Sequence, residues 1–152
     1  EGCSVNECLI YFKFSTLESK DKIKNVLADT KSFLTFNKIS SVFKRKNLKS
    51  ASLDEIQEFV IRASTEHNAS ELLNKLKHHA ELLVFNDEIK MIPSQTLPHP
   101  NLFLDPLILH CSAEVWPEYI HPVNKMTLRK SDIETNVEMY EFLYQGKFFL
   151  DP

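Results

Sequence analysis

The chain contains almost no glycine, and this restricts the kinds of nucleotide-binding fold that it can form. Gly2 and Gly146 are its two glycines, so no glycine lies between them. Phosphate-binding loops of the Walker A, Rossmann and protein-kinase types need glycine where the backbone approaches phosphate or takes a positive φ. A Gly-x-Ser-x-Gly nucleophile elbow needs it too. The sequence therefore excludes these four motifs, and any nucleotide site must be built in another way.

Composition and charge are those of an ordinary single domain. The chain has 152 residues, 43% of them hydrophobic and 26% charged, with a formal net charge of -3. This balance gives no reason to expect nucleic acid or an anionic membrane as a partner. No apolar run approaches the roughly 20 residues of a membrane span, and no signal peptide is visible, so we expect a cytoplasmic protein. The odd number of cysteines (Cys3, Cys8 and Cys111) favours reduced thiols over disulfides.

Hydrophobic periodicity predicts alternating strands and helices. A capping box at Ser15 and Glu18 indicates the start of the first helix, and Asn68 with Glu71 indicates the start of the second. A basic segment at 44–49 is interpreted as a solvated loop rather than a binding patch. The predicted elements are strands at 8–14, 38–45 and 58–65, a wholly apolar and central strand at 82–85, a short strand at 89–92, and helices at 17–36, 69–78, 107–115 and 132–144.

The order β-α-β-β-α-β favours a ferredoxin-like α+β fold with a mainly antiparallel sheet. We expect an N-terminal extension at 1–7 and the main domain at 8–130. Residues 131–152 are predicted to form a C-terminal helix and a linker towards a possible second domain.

Side-chain chemistry alone selects no enzyme class. His78, His79 and Glu81 cluster just before the apolar strand, and strand alternation places His79 and Glu81 on one face. Two ligands are too few for a metal site without partners from elsewhere in the fold. His110, beside Cys111 in an apolar segment, is interpreted as a hydrogen-bonded core histidine rather than as a ligand or a catalytic base.

One long segment resembles a known family. Residues 82–122 contain an apolar strand, an acidic turn and then Thr96 to Pro100 (TLPHP); an apolar helix with Glu114 and Pro117 follows, and then the pair His121-Pro122. This ordered run is very similar to the second half of hydroxymethyldihydropterin pyrophosphokinase. The first half of the chain follows the family more loosely, so the resemblance covers roughly residues 8–123. It implies a three-layer α/β/α arrangement of the ferredoxin-like fold.

The resemblance also implies an activity and its cofactors. The family transfers pyrophosphate from ATP to a reduced pterin, with two Mg²⁺ ions held by an Asp-x-Asp pair. Such ions neutralise developing charge and prefer oxygen ligands. The matching positions here are His79 and Glu81, so only Glu81 is a candidate magnesium ligand. By resemblance, the nucleotide-binding residues are His99, Thr96, Leu73 and Leu82. For His99 the alternative is a structural role in the Pro98–Pro100 turn.

Other positions depart from the family pattern. Asp105 stands where the family has a phosphate-binding arginine, and Leu107 where it has a pterin-stacking phenylalanine. The arginine-rich loop that closes over ATP looks deleted before Glu81. The pterin-binding asparagine falls near Gln57 or Glu58, and neither is equivalent to it.

Three hypotheses follow. The first is a pyrophosphokinase-like domain that is catalytically impaired and kept as a structural or partner-binding module, fused to or associated with dihydropteroate synthase. The alternative is an active, divergent enzyme using Mg²⁺ and ATP, with Glu81 joined by Asp87 or Asp105 and with Lys77 replacing an arginine. The third is a protein-interaction domain unrelated to pterins, which the ordered match at 82–122 disfavours.

Overall fold

A six-stranded antiparallel sheet forms the centre of the computed structural model, which describes residues 5–15, 17–45, 56–76, 79–92, 95–133 and 140–149. A separate two-stranded hairpin lies beside it. The strands are β1 (Asn6–Ser15), β2 (Thr35–Ile39), β3 (Val42–Arg45), β4 (Ile56–Thr65), β5 (Ala80–Phe85), β6 (Lys90–Ile92), β7 (Gln95–Leu97) and β8 (Tyr140–Tyr144). The helices are α1 (Lys20–Thr30), α2 (Ala69–Lys75), α3 (Asn101–Leu104), α4 (Pro106–Val115) and α5 (Leu128–Ile133), followed by a 3-10 turn at Gly146–Phe149.

The helices cover both faces of the sheet, which gives three layers. Phe59, Ile61 and Ala63 of β4 lie on one face, as the alternation predicts, and belong to the same core cluster as α1 and α2. Val60 faces the other way, into a cluster that contains most of the buried residues of α4. The ferredoxin-like α+β fold with a mainly antiparallel sheet is thereby confirmed. None of the described helices is long and apolar enough to cross a membrane.

The strand predicted at 38–45 is in fact two strands, β2 and β3, which pair with successive parts of β4. Ser40 and Ser41 separate them. At this break Ser40 forms two hydrogen bonds with Val60 in place of regular strand pairing. Its backbone N–H donates to the Val60 carbonyl at 2.9 Å, and its hydroxyl accepts from the Val60 N–H at 2.9 Å. The hydroxyl satisfies a backbone donor that would otherwise be buried without a partner.

The first helix begins later than predicted. Ser19, not Ser15, is the N-cap: its side chain accepts from the Lys22 N–H, and the helix runs only from Lys20 to Thr30. The Ser15 hydroxyl instead accepts from the Leu17 N–H at 3.1 Å in a local turn. The second helix starts as predicted, since Asn68 and Glu71 form both hydrogen bonds of a capping box.

The prediction of a helix at 132–144 is wrong for residues 140–144. Helix α5 ends at Ile133, residues 134–139 are outside the described part, and Tyr140–Tyr144 is strand β8. Strand β8 pairs with β3, and Phe149 beyond it is 2% exposed in the core. Residues 140–149 therefore pack within the same sheet and core, while the domain limits proposed at 8 and 130 stay a prediction.

Strand β5 was predicted to be central, but it ends the ladder β5-β1-β4-β3-β8. Its apolar sequence has another cause: Leu82 and Phe85 are buried in one cluster, while Leu83 and Val84 are buried in the other. Part of its outer edge is covered as well, because the His99 N–H donates to the Leu83 carbonyl at 2.7 Å.

Candidate functional site

A cleft of about 430 Å³ lies along the outer edge of β5. Helix α2 supplies one wall, β5 the floor, and β7 with the residues after it the other wall. The lining residues are Leu73, Leu76, Ala80, Glu81, Leu82, Gln95, Thr96, Leu97, His99 and Pro100. The four residues predicted to bind nucleotide and the candidate metal ligand Glu81 thus border one cavity. Their role in binding stays a prediction.

His99 is held by two hydrogen bonds and one close contact with a carboxylate. Its backbone N–H donates to Leu83, its ring Nδ1 accepts from the Asn101 N–H at 3.1 Å, and its Nε2 lies 3.1 Å from Glu81 Oε1. Nδ1 is therefore used within the local turn, and Nε2 lies beside the Glu81 carboxylate. His99 therefore has the contacts of a structural residue, and its side chain still borders the cleft.

His79 does not line this cleft. Its ring stacks on Phe14 with centroids 4.7 Å apart, and its Nε2 lies 3.8 Å from Glu18 Oε1. It lines a second hollow of about 470 Å³ beside α1 and α2. Strand alternation predicted one face for His79 and Glu81, but His79 precedes the first residue of β5 and packs on Phe14 instead. In the described ranges no group of three or more His, Cys, Asp or Glu residues is placed to hold a metal ion.

Asp105 has a structural role that was not predicted from the sequence: it is the N-cap of α4. Its Oδ1 accepts from the N–H groups of Leu107 and Ile108, at 3.1 and 3.5 Å, and so caps α4. Pro106 occupies the first turn, where its missing N–H costs nothing. Leu107 is 1% exposed in the core. The Asp-Pro pair before an apolar run was the signal that could have predicted this cap.

Gln57 and Glu58, the positions nearest to the family's pterin-binding asparagine, are engaged within the fold. Both side chains are buried. Glu58 accepts a hydrogen bond from the Tyr11 hydroxyl at 2.5 Å. Gln57 donates to the Ser15 carbonyl at 3.1 Å and accepts from the Tyr144 hydroxyl at 2.8 Å. The neighbouring segment 46–55 is outside the described part.

Glu114 and His121, near the end of the segment that resembles the family, make contacts on the side of the sheet that carries α4. Both oxygens of Glu114 accept from Ser41, one from its N–H at 2.9 Å and one from its hydroxyl at 3.0 Å, which joins α4 to the break between β2 and β3. The His121 ring packs on Phe103 and its Nδ1 accepts from the Val123 N–H. Burial lowers the pKa of His121 below the usual histidine value.

His110 is satisfied by a neighbour, as predicted, although it is partly exposed. Its Nδ1 lies 3.0 Å from Asp132 Oδ1, which links α4 to α5. Cys8 and Cys111 are free and buried, and Cys3 is outside the described part. Burial, with a smaller contribution from Glu7, raises the pKa of the Cys8 thiol to about 12, and burial also raises the pKa of Cys111. Neither thiol has the thiolate character of a nucleophile.

Comparison with known proteins gives matches of structure only. A scan against protein-family models and a search of curated proteins found no match. A crystal structure of HPPK-DHPS in complex with substrates superposes with a TM-score of 0.70 at 11% identity, covering 91% of this chain and 46% of that chain. HPPK-DHPS of Plasmodium falciparum with pterin and p-hydroxybenzoate gives 0.66 at 13%, covering 88% and 42%. The same enzyme with pteroate gives 0.65 at 12%, covering 88% and 43%.

These matches show a common fold. HPPK abbreviates the pyrophosphokinase that the sequence resembles, and DHPS abbreviates dihydropteroate synthase. The chain spans less than half the length of the HPPK-DHPS chains that it matches. Its fold resembles the HPPK domain of these folate-biosynthesis enzymes.

Proposed function

We propose that this chain is a pyrophosphokinase-like module of a folate-biosynthesis protein that no longer transfers pyrophosphate at a useful rate. In this proposal the domain is kept for its structure and for its contact with a fused or associated dihydropteroate synthase. The fold, the ordered resemblance at residues 82–122 and the cleft that brings the predicted nucleotide-binding residues together support the family part of the proposal.

The charge of the cleft carries the catalytic part of the proposal. ATP brings about four negative charges, which active sites neutralise with metal ions, Lys and Arg. Among the described lining residues, Glu81 is an acid and His99 is the one basic side chain. His99 is already directed at Glu81. A triphosphate would therefore meet a carboxylate with little to offset the repulsion.

The alternative of an active enzyme requires a second carboxylate beside Glu81. Asp105 is occupied in capping α4. Asp87 lies in the turn after β5, where its charge acts on Tyr119, and it does not line the cleft. Lys77, the proposed replacement for an arginine, is outside the described residues. The contacts of the two aspartates thus favour the impaired module over the active enzyme.

The direct test is phosphorus NMR of the domain with ATP, Mg²⁺ and hydroxymethyldihydropterin. We expect no AMP above the level of a sample without protein. Formation of AMP that depends on the pterin would refute the proposal and restore the alternative. In that event Glu81→Gln should abolish turnover, because it removes the remaining candidate ligand charge, while Glu88→Gln in the exposed turn serves as the matched control.

The structural role has its own test in the natural full-length protein. We expect a form that lacks residues 1–145 to show a lower yield of folded protein or a lower dihydropteroate synthase activity, because a packed neighbour would lose its partner surface. The measurement is synthase activity per folded molecule together with the unfolding temperature. Equal stability and activity of the shortened and full-length proteins would refute a structural role for this domain.

A further inference from the structure

A hollow of about 440 Å³ lies between β3, α4 and α5, on the side of the sheet that carries α4. Strands β1 and β4 separate β3 from β5, so this hollow and the cleft are at different parts of the sheet. None of the residues predicted to bind nucleotide or Mg²⁺ borders it. The walls that matter below are formed by Phe43, His110, Ala113, Pro117, Arg129 and Asp132, and we call this cavity the α4–α5 hollow.

The polar centre of the α4–α5 hollow is the ring of His110. Its Nδ1 lies 3.0 and 3.1 Å from the two side-chain oxygens of Asp132. An ionised carboxylate has no hydrogen to donate, so the hydrogen of this contact is on Nδ1, and Nε2 of the neutral ring is an acceptor. Among the residues that the structure describes, none forms a hydrogen bond with Nε2. The side chain is 33% exposed and borders the hollow, so Nε2 is available to a ligand.

The walls beside His110 suit a planar apolar ring. Phe43, Ala113 and Pro117 are uncharged and present carbon atoms to the hollow. The Phe43 ring meets the His110 ring edge to face, with centroids 5.6 Å apart and planes 72° apart. The volume of the hollow falls in the range of small-molecule sites, roughly 300 to 1,000 Å³. A ring with a hydrogen-bond donor on its rim can pack against these walls and donate to Nε2.

The charged side chains of the hollow already have partners within the fold. Asp132 contacts His110, and the Arg129 guanidinium lies 3.1 Å from Glu118 Oε1. Glu114 accepts two hydrogen bonds from the break between β2 and β3. An anionic ligand would meet two carboxylates, and a cationic one would meet the guanidinium, without an unpaired counter-charge for either. These charges favour a neutral ligand.

We infer that the α4–α5 hollow binds a small neutral phenol. The hydroxyl donates to His110 Nε2, and the ring packs between Phe43 and Pro117. A phenol combines the flat apolar body that the walls accept with the one donor that Nε2 can use. The inference goes beyond the proposed function and does not depend on it, because no residue of the cleft takes part.

The test is titration of the intact chain with phenol, anisole and benzoate, followed by amide chemical shifts in NMR spectra. Phenol should shift amide signals of α4 and α5 with a Kd of about 1–10 mM, as expected for so small a ligand. Anisole has the same ring with a methyl ether in place of the hydroxyl, so it cannot donate and should bind about fivefold more weakly. Benzoate, which carries a negative charge, should also bind more weakly than phenol.

His110→Asn keeps a donor that can reach Asp132 and removes Nε2. It should weaken phenol about fivefold, so that phenol and anisole bind alike. His67→Asn is the matched control, because His67 is exposed to a similar extent, 34%, and lies outside the hollow. Comparing phenol with anisole on the unaltered chain tests the same hydrogen bond without any substitution.

Four results would each overturn the inference: no phenol binding at α4 and α5, equal binding of anisole, tighter binding of benzoate, or unchanged phenol affinity in His110→Asn. Pterin-dependent AMP formation would instead refute the proposed function, so the two failures are distinguishable.

Discussion

Replacing Phe59 by alanine should lower the free energy of unfolding by about 4 kcal/mol. Phe59 is fully buried, and its ring stacks against three others: Phe12 at 5.5 Å, Phe14 at 6.0 Å and Phe149 at 5.6 Å between centroids. These rings come from β1, β4 and the C-terminal turn, so the cavity would open where distant parts of the chain meet. Dense packing on all sides would prevent the site from collapsing to fill the void.

Urea denaturation followed by circular dichroism measures this loss. Phe142→Ala is the matched control, because Phe142 lies on β8 with 51% of its surface exposed and should change stability by less than about 1 kcal/mol. Phe59→Leu, which keeps most of the volume, should cost less than the alanine variant. A loss below about 1 kcal/mol for Phe59→Ala would show that the aromatic stack does not hold the sheet to the C-terminal turn.

Gly146→Ala should lower the free energy of unfolding by about 2–3 kcal/mol, because the backbone packs too closely there for any side chain. A Cβ at this position would lie 2.0 Å from the Ser40 carbonyl oxygen and 2.5 Å from Ile39 Cγ2. The φ of Gly146 is not positive, so space rather than backbone freedom requires glycine. The Ser40 contact is with backbone, which a rotamer change cannot relieve.

Thermal unfolding should show this effect as a decrease in Tm of roughly 5–10 °C. The control is Lys147→Ala, an exposed position in the same 3-10 turn, which should leave Tm nearly unchanged. An unchanged Tm for Gly146→Ala would mean that the 3-10 turn does not press against the break between β2 and β3.

Secondary-structure boundaries were predicted best where a single local signal, such as one capping box, had no competing signal nearby. Asn68 and Glu71 form a capping box with no competitor nearby, and helix α2 begins there. Two serines precede helix α1, and only the folded chain shows that Ser19 caps the helix while Ser15 forms a turn. Tyr140 and Tyr144 continue the helical spacing of Ile133 and Val137, but together with Phe142 they also fit the alternation of a strand. Pairing with β3 decides between the two, and local periodicity cannot report that partner.

The site was predictable to the extent that a contiguous motif carried it. Thr96 and His99, both within one five-residue motif, line the cleft together. The position of His79 depended on stacking against Phe14, which strand alternation does not reveal. Gln95 Nε2, which has no hydrogen-bond partner among the described residues, could not have been singled out from the sequence, because whether a polar group is satisfied depends on every neighbour in space.

The closure of the sheet by β8 has a consequence for protein synthesis. On its outer side strand β3 pairs with β8, as in the Val42 and Tyr144 partners, and Phe149 belongs to the same core cluster as Val42. A chain growing from the ribosome would hold β1 to β5 ready to pair well before these last residues emerge. The nascent domain would thus carry an open strand edge and an unfilled aromatic core until residue 149 has left the exit tunnel. The interval between the emergence of β5 and that of residue 149 would then set how long chaperones have to shield that surface.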